Sequence, residues 1–131
     1  MEQDDPAAMR EGIERLFELR GEGLDPEAEY ELRSADYVMD MPQSRERIRG
    51  REAMRSMQQA FPVPPTITLR RVVGSGRLWV VEGMNDYAGE VWHVVVVLEL
   101  DAEGSISRDT RYYTQASEAP DWRKEWVEEL D

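Results

Sequence analysis

The chain has 131 residues and a formal net charge of -12, with 40% hydrophobic and 34% charged residues. This length predicts one folded domain spanning 1-131, and the charge excludes nucleic-acid and membrane-surface roles because it repels phosphate groups and anionic lipid. The absence of Cys and the presence of one His exclude a thiol nucleophile and cysteine or multi-histidine metal sites, so we expect no metal or redox cofactor. No apolar run approaches membrane-spanning length, and we expect a cytoplasmic protein.

The first half of the chain predicts three helices and one strand. Asp5-Pro6 and Asp25-Pro26 are helix starts, because Asp is a good N-cap and Pro is tolerated in the first helical turn. Residues 36-42 are predicted as a strand. Gly50 precedes a third helix, which a run of prolines ends and which carries apolar residues on one face: Met54, Met57 and Phe61.

The second half predicts four strands in succession, at 66-73, 78-87, 91-100 and 106-114, because β-branched residues and alternation replace the helical spacing. Short turn-like connections favour consecutive antiparallel hairpins. A short C-terminal helix is predicted to begin at Ala119-Pro120-Asp121.

This order predicts an α+β fold in which a curved antiparallel sheet packs on the three helices of the N-terminal half. A sheet bent around helices forms a cone, and its wide end is where a small apolar ligand would bind.

Several segments, in this order and spacing, resemble the nuclear transport factor 2-like superfamily with its cystatin-like fold, and specifically its SnoaL-like branch. They are Asp36-Tyr37-Val38-Met39-Asp40-Met41-Pro42, Arg49-Gly50-Arg51-Glu52-Ala53, the strand and turn 97-106, and Tyr112-Tyr113 before Ala119-Pro120-Asp121-Trp122-Arg123. The resemblance covers almost the whole chain. It implies the cone-shaped fold, while the functions of the superfamily include isomerases, cyclases, hydrolases, dehydratases and binding proteins without catalysis.

Asp40 is the candidate general base. It lies in the apolar strand 36-42, where burial would raise the pKa of a carboxylate toward neutrality. By resemblance it matches the base of ketosteroid isomerase, whose two oxyanion-hole positions fall here near Arg15 or Leu16 and near Val96. The alternative for Asp40 is a structural hydrogen bond to Ser44, Arg45 or Arg47.

Two other enzymes resemble the chain in part. In limonene epoxide hydrolase an Arg between two carboxylates activates water, and those positions fall near Gly83, Asn85 and Arg111, with Asp109 as a possible substitute on the last strand. SnoaL-like cyclases use an Asp with a His. Strand alternation places His93 on the face opposite Val96, away from the predicted cavity.

The sequence therefore predicts a protein that binds a small hydrophobic molecule in the cone and catalyses isomerase-type or cyclase-type proton transfer. Asp40 would be the base, and Arg111 or Tyr113 would stabilise the oxyanion. The predicted ligand-binding residues are Tyr37, Met54, Met57, Trp79, Val81, Trp92, Val96 and Asp109. A structural ion pair is the alternative for Arg111 with Asp109.

Two expectations concern partners. The arginine-rich segment 45-51 would recruit an anionic group on the ligand. The outer face of the sheet, where members of the superfamily dimerise, would form a homodimer. The alternative function is a ligand-binding or dimerisation module without catalysis.

Overall fold

The structure is a computed structural model that describes Ala7, Ile13 and residues 26-61 and 65-130. The helices and strands, in chain order, are α1 (Pro26–Leu32), β1 (Arg33–Met41), β2 (Glu46–Arg49), α2 (Arg51–Gln59), β3 (Thr66–Ser75), β4 (Leu78–Tyr87), β5 (Glu90–Leu100) and β6 (Ile106–Gln115). A 3-10 helix (Asp121–Trp126) follows. The first predicted helix lies outside the described residues except for Ala7 and Ile13, which are both helical.

The strands form a six-stranded sheet in the order β2-β1-β6-β5-β4-β3. The predicted hairpins of β3 to β6 are confirmed as antiparallel pairs. The sheet is nevertheless mixed, because β6 returns beside β1 in the same direction and the two pair in parallel. Residues 46-49, within the arginine-rich segment and not among the predicted strands, form the edge strand β2 in a hairpin with β1.

Two hairpins restrict the residues at or near their turns, one through backbone angles and the other through space. Ala88 and Gly89, between β4 and β5, both have positive φ (55° and 100°), as a two-residue hairpin turn with the twist of the strands demands. At Gly74 a Cβ atom would lie 2.4 Å from the carbonyl oxygen of Leu78, so the β3–β4 hairpin leaves no room for a side chain there.

The core lies between the helices and one face of the sheet. Its members are almost completely buried and come from both halves of the chain: Ile13, Tyr37, Met39, Met54, Trp79 and Leu98. Alternation is clearest in β4 and in the second half of β5, where every second residue is buried. In β1 three consecutive residues are buried, at 37-39.

The C-terminal segment has the predicted helical turn, but its apolar residues are open to solvent. Trp122 and Trp126 are 74% and 75% exposed. Within the described ranges, no helix has both the length and the apolar character needed to cross a membrane.

Candidate functional site

A cavity of about 490 Å³ lies between α2 and the inner face of the sheet. Most of its wall is apolar or aromatic, from α2 with the residues after it and from three strands: Met39, Met41, Met57, Phe61, Val94 and Tyr113. The other lining residues bear polar groups: Asn85, Tyr87, Glu90, Trp92 and Arg111. An apolar pocket with a few polar groups is the usual form of a small-molecule site.

Arg111 is the cationic group of this cavity, and Asp109 holds it. Nε of Arg111 donates to Oδ1 of Asp109 at 2.8 Å, and Nη2 donates to Oδ2 at 2.9 Å. Tyr37 donates its hydroxyl hydrogen to the same Oδ2 at 2.6 Å. Asp109 is 2% exposed and lies behind Arg111, so a ligand in the cavity meets the guanidinium and not the carboxylate.

The electrostatics of this trio keep Asp109 and Arg111 charged. Burial alone would raise the pKa of Asp109, but the guanidinium of Arg111 and the hydrogen bonds outweigh it and lower that pKa below the ordinary value. Burial alone would lower the pKa of Arg111, yet the charge of Asp109 raises it. Burial, together with the charge of Asp109, raises the pKa of Tyr37, which therefore stays a neutral donor.

A second buried ion pair supports Tyr37 from the helix side. Arg33 donates to Glu29 at 2.7 Å, and both side chains are at most 3% exposed. Gln58 of α2 joins them by accepting from Arg33 and donating to Glu29. The guanidinium carbon of Arg33 lies 4.9 Å from the centre of the Tyr37 ring, which is a cation–π distance.

Asp40 does not belong to the cavity, and the prediction of a raised pKa is wrong. Met39 and Met41 face the cavity, so Asp40 between them points to the other side of the sheet. There it accepts hydrogen bonds from Arg47 (2.6 Å) and Arg108 (2.5 Å). The bond from Arg47 is the main cause of a pKa below the ordinary value. This is the structural alternative foreseen for Asp40, since the structure does not bring Asp40 together with Arg111 and Tyr113.

The other predicted site residues divide into three groups. Tyr113, Met57 and Trp92 line the cavity with Arg111. Met54 and Val96 line a smaller adjoining space of about 70 Å³. Trp79 and Val81, expected to contact a ligand, instead lie in the core at 0% and 3% exposure, because the cone is filled at that depth.

The arginine-rich segment lies away from the cavity. Arg45 and Arg47 border an open surface depression beside Asp40, and no Arg of 45-51 lines the cavity. His93 lines a groove with Arg70, Glu82 and Tyr112 on the outer face of the sheet, as alternation predicts. The basic segment therefore does not surround the cavity mouth.

Sequence reasoning missed several lining residues, among them Met39, Met41, Asn85, Glu90 and Val94. Strand pairing is the signal that identifies two of them. Asn85 of β4 lies opposite Trp92 of β5, and Val94 of β5 lies opposite Tyr113 of β6. Directly opposite residues share a face, so Trp92 and Tyr113 together identify both neighbours.

Solved structures of known proteins share this architecture. A nuclear transport factor 2-like protein of unknown function from Burkholderia xenovorans LB400 is 28% identical, with a TM-score of 0.81, and the match covers 96% of this chain and 98% of that one. A candidate ketosteroid isomerase from Kribbella flavida DSM 17836 is 26% identical, with a TM-score of 0.80 and coverage of 97% and 93%. The chain thus has the nuclear transport factor 2-like, ketosteroid isomerase-like fold that its sequence resembles.

At lower identity the similarity is one of fold alone. A protein of this fold from Catenulispora acidiphila DSM 44928, solved with trimethylamine, is 19% identical, with a TM-score of 0.63 and coverage of 78% and 85%. The fold also occurs in a steroid delta-isomerase, an epoxide hydrolase and an epoxide hydrolase/cyclase-like enzyme. No protein-family model matches the chain, and none of the curated proteins compared with it matches either.

Proposed function

We propose that this protein binds a small hydrophobic molecule in the cavity between α2 and the sheet, with Arg111 as its main polar contact. The observation that carries this proposal is that Arg111 bonds Asp109 on one side and faces the cavity on the other. Asp109 occupies Nε and one hydrogen of Nη2, while the side chain lines an otherwise largely apolar space of about 490 Å³. The guanidinium is therefore fixed in direction before a ligand arrives, which lowers the entropic cost of binding.

The charge balance favours a neutral acceptor oxygen on the ligand over an anion. Arg111 is compensated by Asp109, and Arg33 is compensated by Glu29, so these two pairs together carry no excess positive charge. A carboxylate beside Arg111 would add an uncompensated buried charge, which is costly. A ketone, ester or ether oxygen would accept from Arg111 without that cost.

Binding is better supported than proton transfer. Asp40 faces the other side of the sheet with a lowered pKa. Asp109 is covered by Arg111. Among the described lining residues the only carboxylate is Glu90, which is exposed. A base able to reach a ligand deep in the cavity is therefore missing from the described residues, and the alternative without catalysis becomes the proposed one.

The proposal is tested with Nile red, a neutral hydrophobic dye that carries acceptor oxygens and fluoresces strongly in apolar surroundings. The wild-type protein should bind it with a blue-shifted, saturable signal. Val94→Phe places a larger ring in the cavity and should weaken binding about tenfold or more, since pocket fit is worth this much per small group. Unchanged binding by this variant, or no saturable signal from the wild type, would exclude the cavity as the site.

The role of Arg111 needs a variant that still folds. The double substitution Asp109→Asn with Arg111→Met removes both charges together and avoids leaving one of them buried alone. We expect it to weaken Nile red binding about tenfold, the value of a hydrogen bond from a charged donor. Arg108→Met, on the outer face beside Asp40, is the matched control and should bind as the wild type does.

We also propose that the outer face of the sheet forms a homodimer. Tyr112 is 48% exposed at this face and borders the groove with Arg70, Glu82 and His93. Sedimentation equilibrium should show a dimer for the wild type and a monomer for Tyr112→Glu. The monomeric variant should melt at the temperature of the wild-type monomer. A monomeric wild type at high concentration would contradict this proposal.

A further inference from the structure

The rim of the cavity carries a negative charge that no cation of the described residues balances. Glu90 begins β5, and its Oε1 accepts from Nε1 of Trp92 at 3.1 Å and from Nε2 of Gln115 at 2.9 Å. Both donors are neutral. They therefore fix the direction of the carboxylate without cancelling its charge, and no ion pair in the described residues includes Glu90.

Trp92, which donates to this carboxylate, packs against a second aromatic ring of the cavity wall. The rings of Trp92 and Tyr113 are 5.4 Å apart at an interplanar angle of 71°, so they form two walls at nearly a right angle. Phe61 and Tyr87, stacked at 5.7 Å, line the same cavity. The face of an aromatic ring attracts a cation, and several rings around one point bind alkylammonium groups without hydrogen bonds to the nitrogen.

The deeper end of the cavity adds no net positive charge to oppose a cation. Among the described lining residues Arg111 is the other charged one, and Asp109 holds it in a two-bond pair. The sequence as a whole carries a net charge of -12. A ligand cation at the rim therefore meets one oriented carboxylate, aromatic faces and an attractive long-range field.

We propose that Glu90, Trp92 and Tyr113 form a subsite for an alkylammonium group at the rim of the cavity. The ligand class is a hydrophobic tertiary or quaternary amine, whose carbon body occupies the apolar wall while its nitrogen lies beside Glu90. This proposal rests on the proposed function, because it uses the same cavity. It adds the charge of the ligand and the residues that recognise it.

The test compares two ligands of equal shape. One is 4-phenylbutyl-trimethylammonium, and the other is the neutral compound in which carbon replaces the nitrogen. Each is titrated against bound Nile red at low ionic strength. We expect the ammonium compound to displace the dye at roughly tenfold lower concentration, the size of a cation–π contact aided by a carboxylate. A third compound with a terminal sulfonate should displace it least.

Two variants assign the preference to the subsite. Glu90→Gln keeps the size of Glu90 and an oxygen that can accept the bonds from Trp92 and Gln115. It should abolish most of the preference for the ammonium compound. The affinity for the neutral compound should stay unchanged. Glu103→Gln makes the same change of charge in the turn at the other end of β5 and should keep the preference. Trp92→Leu should reduce the preference by removing one wall.

The outcomes separate this proposal from the one it rests on. Equal displacement by the ammonium and neutral compounds, or a preference that survives Glu90→Gln, overturns the ammonium subsite while dye binding still supports the cavity. If Nile red shows no saturable binding and neither compound binds by calorimetry, both proposals are wrong.

Discussion

Tyr37 on β1 donates a hydrogen bond to Asp109 on β6, with 2.6 Å between the two oxygens, across the parallel pairing of these strands. The same Asp109 oxygen accepts from Arg111. Tyr37 thus fixes the carboxylate that fixes the guanidinium in the cavity. A residue that does not line the cavity is therefore expected to control its polar contact.

Tyr37→Phe should lower the free energy of unfolding by about 1 to 3 kcal/mol, because Asp109 loses a buried donor. Its effect on pH dependence has a definite sign. The pKa of Asp109 is lowered in the folded state, so its ionisation stabilises the fold above the unfolded pKa, and this stability is lost as pH falls through the folded pKa. Losing the Tyr37 bond raises the folded pKa, so the stabilisation above the unfolded pKa should be smaller and its loss should be complete at a higher pH. Urea unfolding across acidic pH measures both effects, with Trp122→Phe, at a side chain that is 74% exposed, as the control.

The Asp109–Arg111 pair should behave as one unit in a double-mutant cycle. Asp109→Asn or Arg111→Met alone leaves a buried charge without its partner and should cost about 3 kcal/mol or more. The double variant should cost clearly less than the sum, because no lone charge remains. Urea denaturation gives the four free energies, and additive values would show that the two residues do not interact.

Asp40→Asn should have a small effect. Its arginine partners Arg47 and Arg108 are 51% and 39% exposed, and ion pairs of such residues contribute about 1 kcal/mol or less. The folded pKa of Asp40 is lowered by its arginine partners. The stability that these ion pairs contribute is therefore present above the unfolded pKa and is lost as pH falls through the folded pKa. Nile red binding should not change. Weakened dye binding in this variant would place Asp40 in the site after all.

Gly74→Ala should destabilise the protein far more than Gly76→Ala. A Cβ at Gly74 would meet the Leu78 carbonyl oxygen at 2.4 Å and the Cα of Trp79 at 2.7 Å, so the backbone must shift. Gly76 has open space and only the strain that a side chain meets at a φ of 58°, worth about 1 to 2 kcal/mol. Thermal unfolding of both variants makes the comparison, and equal melting temperatures would show that the hairpin yields easily.

Much of the fold follows from local patterns in the sequence. Alternation and turn residues predict β3 to β6, because hairpins depend on contacts between neighbours in the chain. The parallel pairing of β1 with β6 does not follow from such patterns, since it joins residues about seventy positions apart, as Tyr37 and Asp109 are. β2 was missed because its four residues are mostly charged and exposed.

The part of the site that depends on local alternation was predicted, and the part that depends on distant contacts was not. Arg111, Tyr113 and Asp109 share one face of β6 by alternation, and that face is the inner one. The prediction for Asp40 is wrong because the apolar residues next to it in strand 36-42 do not surround its side chain. Side chains adjacent in a strand point in opposite directions, and Met39 and Met41 face the cavity while Asp40 does not. Trp79 shares the inner face but lies too deep, and depth along a strand depends on how far the helices fill the cone.

The parallel pairing of β1 and β6 also affects how the chain is made. A ribosome releases β1 first, yet β1 acquires its β6 neighbour only after residues 106-110, which pair with it, have emerged. Until then Tyr37 and Met39 lack the strand that helps to bury them. The hairpin with β2 leaves the other edge of β1 open, and an open edge of an apolar strand is prone to aggregation. Slow folding set by this long-range contact would make the nascent protein sensitive to temperature and to the supply of chaperones.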